Sequence, residues 1–130
     1  MRNADTPSGV ISIYVKENLK STKIEKLSYC NSTIEVCTVE FDFGKQHMFV
    51  LGIYRPHSDT IDNFNKLFSD ILDSKLLKNK ICIIAGDLNI CLMKPVDPNL
   101  NFSNLIFSHR FVPLITKSTR FPQIEGEIPS

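Results

Sequence analysis

No apolar run in this 130-residue chain approaches the roughly 20 residues that a bilayer-spanning helix needs. The opening stretch MRNADTPSG has no hydrophobic segment of the signal-peptide kind either, so the expectation is an intracellular protein, nuclear or cytoplasmic, without a membrane partner. Cysteine pairs of the CxxC type are missing. Cys30, Cys37, Cys82 and Cys91 are scattered, three of them in or beside apolar runs, which argues for reduced thiols over a zinc site or a disulfide framework. His47, His57 and His109 lack the close spacing of metal ligands and read as surface or cap residues. Charge of one sign is scarce as well. Fifteen Lys and Arg against fourteen Asp and Glu leave a net charge of +1, so a nucleic-acid partner would have to be met by local groups rather than by a global field. There is no internal repeat, low-complexity tract or visible domain boundary.

What is present is enough apolar material, 42% of residues, for one core, in a chain too short for two. A single domain over 1–130 is expected, with poorly ordered ends at 1–8 and 121–130. GVISIYV (Gly9 to Val15) and STIEVCTVEF (Ser32 to Phe41) alternate as half-buried strands do. Asp42 to Lys45 reads as a turn, and QHMFVLGIY (Gln46 to Tyr54) as a strand apolar on both faces, which makes a hairpin. Pro56 should stop that strand, and Asp59 or Thr60 can cap the next element. Ile61, Phe64, Leu67, Phe68, Ile71, Leu72 and Leu76 recur at spacings of three and four, predicting an amphipathic helix to about Leu77. KICIIAG then reads as a short strand covered on both sides. Beyond it, KPVDPNLN (Lys94 to Asn101) reads as a proline-rich loop, Phe102 to His109 as a short helix, FVPLIT (Phe111 to Thr116) as a strand and KSTRFPQ as a polar exit.

The order strand, helix, strand makes the flanking strands parallel and leaves both carboxyl ends on one edge of the sheet. Tyr54-Arg55-Pro56 and Asp87-Leu88-Asn89 should therefore share a rim. In an extended segment the side chains at i and i+2 point the same way, so Asp87 and Asn89 would project together. Gly86, without a Cβ, lets another group approach the backbone. An acid beside an amide at a rigid edge suits phosphodiester hydrolysis: the aspartate can orient or deprotonate a water, and the amide can donate to a phosphoryl oxygen as charge builds there. Taken alone, Gly-Asp-x-Asn is also what any turn after a strand prefers.

SGVISIYVKENL, LGIYRPHSDTIDNF, CIIAGDLNI and FVPLITKSTR, in this order and at these intervals, resemble the endonuclease domain of non-LTR (LINE-type) retrotransposons, a branch of the endonuclease/exonuclease/phosphatase superfamily. The similarity runs from about Gly9 to Arg120. The resemblance implies a partial four-layer α/β sandwich of the DNase I-like kind, with mixed sheets facing each other and helices outside. It implies DNA as partner, Mg²⁺ as cofactor, and catalytic roles for Asp87 (water), Asn89 and Tyr54 (both on the scissile phosphate). Arg55, Thr119 and Arg120 would be substrate-binding, and Lys117 could add a point charge.

Family members also carry an upstream glutamate that binds the metal and a downstream aspartate-histidine pair, and neither matches a residue in this chain. Without the principal carboxylate Mg²⁺ should be held poorly, so little intrinsic nuclease activity is expected. The alternatives are a non-enzymatic module that binds nucleic acid or protein at the retained rim, a phosphatase-type member of the same superfamily, and an unrelated α/β domain with a coincidental turn.

Overall fold

A computed structural model describes residues 11–90 and 96–114. The chain forms a mixed α/β unit in the order β1 (Ser21–Lys23), β2 (Tyr29–Cys30), β3 (Glu35–Asp42), β4 (His47–Tyr54), α1 (Ile61–Leu72), β5 (Ile81–Asp87) and α2 (Asp97–Ser108), with single 3₁₀ turns at Glu25–Leu27 and Lys75–Leu77. The five strands make one mixed sheet in the order β1-β3-β4-β5, and β2 also pairs with β3. The expected hairpin is β3 and β4, antiparallel from Glu35↔Tyr54 to Asp42↔His47. Its turn is closed by Phe43 N–H on Gln46 O at 2.9 Å and Gly44 N–H on Asp42 Oδ1 at 2.8 Å. β5 then pairs with β4 in parallel, from Met48↔Ile81 to Tyr54↔Asp87.

Alternation divides the sheet into two unlike faces. On one, Val36, Phe49, Leu51 and Ile53 pack against Phe64, Phe68, Ile71 and Leu72 of α1 and Phe102 and Ile106 of α2, with Cys82 and Ile84 of β5 at the margin. Phe64, Phe68 and Phe102 form the centre of this layer, with ring centroids 5.5 to 6.3 Å apart. Across the other face, Ile11 and Ile13 lie over Gly52, where a Cβ would come within 2.8 Å of Ile11. The missing side chain is what lets that segment lie so close. Ile81 and Ile83 of β5, on the same face, stay 50% and 43% exposed.

Several expectations are corrected here. Residues 11–15 form no strand: Ile11, Ile13 and Val15 are half-buried and Ser12 and Tyr14 exposed, so the alternation is real, but it belongs to an extended segment laid on the sheet face. Gly9 and Val10 lie outside the described residues. β5 is covered on one face only among the described residues. α1 stops at Leu72, because Asp73 caps its carboxyl end and Ser74 Oγ accepts from Leu76 N–H to start a separate 3₁₀ turn. That break shifts the helical phase, leaving Leu76 exposed and burying Leu77.

The stretch read as a loop from Asp97 onward is the first turn of α2. Pro98 is accommodated there because first-turn N–H groups have no intrahelical partner to lose. Residues 111–114 form no strand; Phe111 packs on the core, while Val112 and Leu114 are exposed. Lys94, Pro95, Cys91, both chain ends and everything from Ile115 on, including KSTRFPQ, lie outside the described residues. Cys37 and Cys82 are free thiols, and burial raises that of Cys82 above its ordinary pKa. Among the described residues no helix is long and apolar enough to cross a membrane.

Candidate functional site

The rim where β4 and β5 end is built by three local devices. Pro56 ends β4 after Tyr54, as its missing N–H requires. Gly86 sits at φ +142°, a region closed to other residues, and its absent side chain makes room for the Ile53 carbonyl, 1.8 Å from where a Cβ would be. The group that approaches this glycine is thus the neighbouring strand itself. Asn89 takes the left-handed conformation at φ +51°, which asparagine tolerates better than other side chains, and so turns the chain after Asp87-Leu88.

Tyr54 and Asp87 are direct Cα partners at the end of the parallel ladder. Asp87 is exposed, Tyr54 half-buried. Glu35 is the Cα partner of Tyr54 on its other side, so a carboxylate, a phenol and a second carboxylate stand in one row across three strands on one face. Glu35 is only 4% exposed and its Oε1 accepts from Ile11 N–H at 3.2 Å. Asn89 backs the turn with its own groups: its backbone N–H donates to Asp87 Oδ1 at 3.2 Å and its Nδ2 to the Arg55 carbonyl at 2.8 Å. An amide nitrogen carries two hydrogens, so a second donor remains in the group's inventory.

Arg55 is placed differently from a phosphate-binding charge. It is 7% exposed, and its guanidinium donates to three backbone carbonyls: Nε to Leu88 at 2.8 Å, Nη2 to Asn89 at 2.8 Å and Nη1 to Asp59 at 3.3 Å. Its backbone N–H continues the ladder onto Asp87 O at 2.9 Å. Next to it the Asp59 carboxylate accepts from the Thr33 hydroxyl, the Asn63 amide and Thr60 N–H, which together hold its pKa below the ordinary value. Thr60 in turn caps α1 by accepting from Asn63 N–H at 3.1 Å. The rim is therefore anchored to the core layer through the first turn of α1.

Of the residues proposed from sequence, Tyr54, Asp87, Asn89 and Arg55 come together, while Thr119, Arg120 and Lys117 lie outside the described residues. The expectation that Asp87 and Asn89 project together from an extended segment is corrected, because the strand ends at Asp87, and Asn89, at φ +51°, directs its amide to the Arg55 carbonyl. The parallel crossover was readable from the order of elements; the inward turn of Arg55 was not, since no local pattern says whether an arginine before proline faces solvent. The Glu35 row was missed because register, not spacing, aligns it.

The described residues do not fit Mg²⁺. No group of three His, Cys, Asp or Glu among them could hold a metal. Glu35, the carboxylate that shares the row with Asp87, is buried and engaged with Ile11, whereas magnesium needs near-octahedral oxygen ligands alongside its waters. Comparison with models of known protein families, with curated proteins and with solved structures finds no match.

Proposed function

We propose that this chain is a phosphodiester-engaging domain of the endonuclease/exonuclease/phosphatase kind, from the LINE-type retrotransposon branch, and that it binds DNA at the Tyr54–Asp87–Asn89 rim while cutting it weakly or not at all. The observation that carries this reading is the shared rim. A phenol, an exposed carboxylate and an amide stand at adjoining strand ends, as they would around a phosphate ester. The Tyr54 hydroxyl and the Asn89 amide are donors suited to non-bridging oxygens, and the Asp87 carboxylate can hold a water by accepting its proton. The guanidinium of Arg55 is turned inward and does not offer its charge to a phosphate; the expected outcome is binding without efficient hydrolysis.

The finer fold belongs to the same proposal. A sheet with both helices packed on one face and, at the β5 edge of the other, exposed Ile81 and Ile83 is what part of a DNase I-like sandwich would present, that exposed edge being where a second sheet would stack. The same two exposed isoleucines favour a second reading, a module that binds a protein partner by its sheet.

The experiment is plasmid nicking with Mg²⁺ alongside plasmid retention, for the wild type and Asp87→Ala. The proposal expects retention at low salt and nicking near background in both. Mg²⁺-dependent nicking abolished by Asp87→Ala would keep the family reading and overturn weak cutting; absence of both retention and nicking would remove the DNA reading.

A further inference from the structure

We infer that Arg55 is a positioning residue, whose buried guanidinium fixes the turn that presents Asp87 and Asn89 to a phosphate. This rests on the reading of the rim as the DNA-engaging site. A guanidinium stays charged throughout the working pH range, and burying it is costly unless its N–H groups are bonded. Here Nε and Nη2 fork onto two successive carbonyls, those of Leu88 and Asn89, each at 2.8 Å. One planar group can meet both because Asn89 at φ +51° takes the chain out of its extended course. Asn89 returns the contact, its Nδ2 donating to the carbonyl of Arg55, and Arg55 N–H holds Asp87 O. Four hydrogen bonds thus lock the end of β4 to the Asp87–Asn89 turn, and all four run through the one residue Arg55.

The arrangement has a chemical direction. With the carbonyls of Leu88 and Asn89 drawn inward onto the cation, the acceptor oxygens that would repel a phosphate are withdrawn from the rim. The Asp87 carboxylate and the Asn89 amide are left as the groups of the turn that can act on a ligand. Lysine could not substitute, since a point donor on a flexible stem does not span two carbonyls in a fixed plane.

The test compares the ¹⁵N-labelled full chain with Arg55→Lys. The first readout needs no ligand: amide exchange at Arg55 and Asn89 should quicken at least tenfold, while Leu51 in the core stays protected. The second is affinity for a short DNA duplex over a range of salt. A positioning role predicts at least a tenfold weaker affinity with an unchanged slope of log K against log salt. A slope reduced by about one would mean that Arg55 itself contacts a phosphate, which overturns the inference. Unchanged exchange at Asn89 overturns it too, as does an affinity equal to the wild type's, the mark of a purely structural arginine. If the wild type binds no DNA yet the turn loosens in the variant, the brace stands and only the DNA reading falls. Should Arg55→Lys fail to fold, the wild type still decides: the Arg55 Nε–H must exchange slowly without DNA, and rapid exchange like that of a surface arginine overturns the inference.

Discussion

Replacing Gly86 with alanine should break the β4–β5 edge, and the size of the effect can be worked from the backbone. The added methyl carbon would lie 1.8 Å from the carbonyl oxygen of Ile53, with the carbonyl carbon and amide nitrogen of the same residue at 2.8 and 2.9 Å. All three are backbone atoms, so no side chain can swing away, and relief to ordinary contact requires the strands to part by about 1.5 Å. Opening the ladder there sacrifices one or two hydrogen bonds, each costing about 1–3 kcal/mol when its groups are left unpaired. The φ of +142° adds about 1–3 kcal/mol of strain for any residue with a Cβ. Taking one lost hydrogen bond and the strain at about 2 kcal/mol each, these predict a loss of about 4 kcal/mol, a large share of the roughly 5–15 kcal/mol that holds a domain folded. The chain has no tryptophan, so urea unfolding monitored by circular dichroism is the suitable assay. With a slope of about 2 kcal/mol per molar the midpoint should fall by about 2 M. A Gly86→Ala midpoint indistinguishable from the wild type's would refute the close strand approach and, with it, the placement of Asp87 beside Tyr54.

The helical layer offers a second check: Phe68 is fully buried between Phe64 and Phe102, so Phe68→Ala should cost about 3–5 kcal/mol in the same urea experiment. Stability should also depend on pH through His109. Burial presses its pKa down, but Nδ1 on the Leu105 carbonyl and Nε2 on the Asp73 carboxylate at 2.7 Å outweigh that and raise it above the ordinary value. A raised folded pKa means that the contribution is complete below the unfolded value and fades as pH rises through the folded one. The join between the ends of α1 and α2 should therefore be stronger at pH 5.5 than at pH 8.5. Because Asp73 is exposed, solvent screening keeps the difference under about 1 kcal/mol, and Asp73→Asn should abolish it in melts at the two pH values.

The periodicity of Phe64, Phe68 and Ile71 was enough to place the helix, because it reports which side is buried, and the order of elements placed the hairpin and the parallel crossover. β3, expected to be half-buried, is instead buried on both faces, Val36 under the helices and Val39 and Phe41 on the opposite side. The errors fall where a local device overrides a pattern. Asp73 and Ser74 end a helix whose apolar spacing continues to Leu76; Pro98 starts a helix where proline suggested a loop. Ile11 and Ile13 alternate like a strand yet cross the sheet over Gly52, since alternation records a buried side and not a hydrogen-bonded partner. At the rim, Gly86, Asp87 and Asn89 were legible as a turn at a strand end. The inward fork of Arg55 and the alignment of Glu35 with Tyr54 depend on contacts 34 and 19 positions apart in sequence, to Asn89 and across the hairpin, and no short motif encodes them.

The most direct measurement is the change in backbone and side-chain NMR shifts as a short DNA duplex is added at low salt, repeated with Asp87→Ala and Tyr54→Phe. The largest changes should gather at Tyr54, Asp87, Leu88 and Asn89, with little at the exposed surfaces of α1 and α2, and Tyr54→Phe should weaken the titration. Shifts confined to the helices, or a rim that stays silent at saturating DNA, would contradict the assignment of this edge to phosphodiester binding.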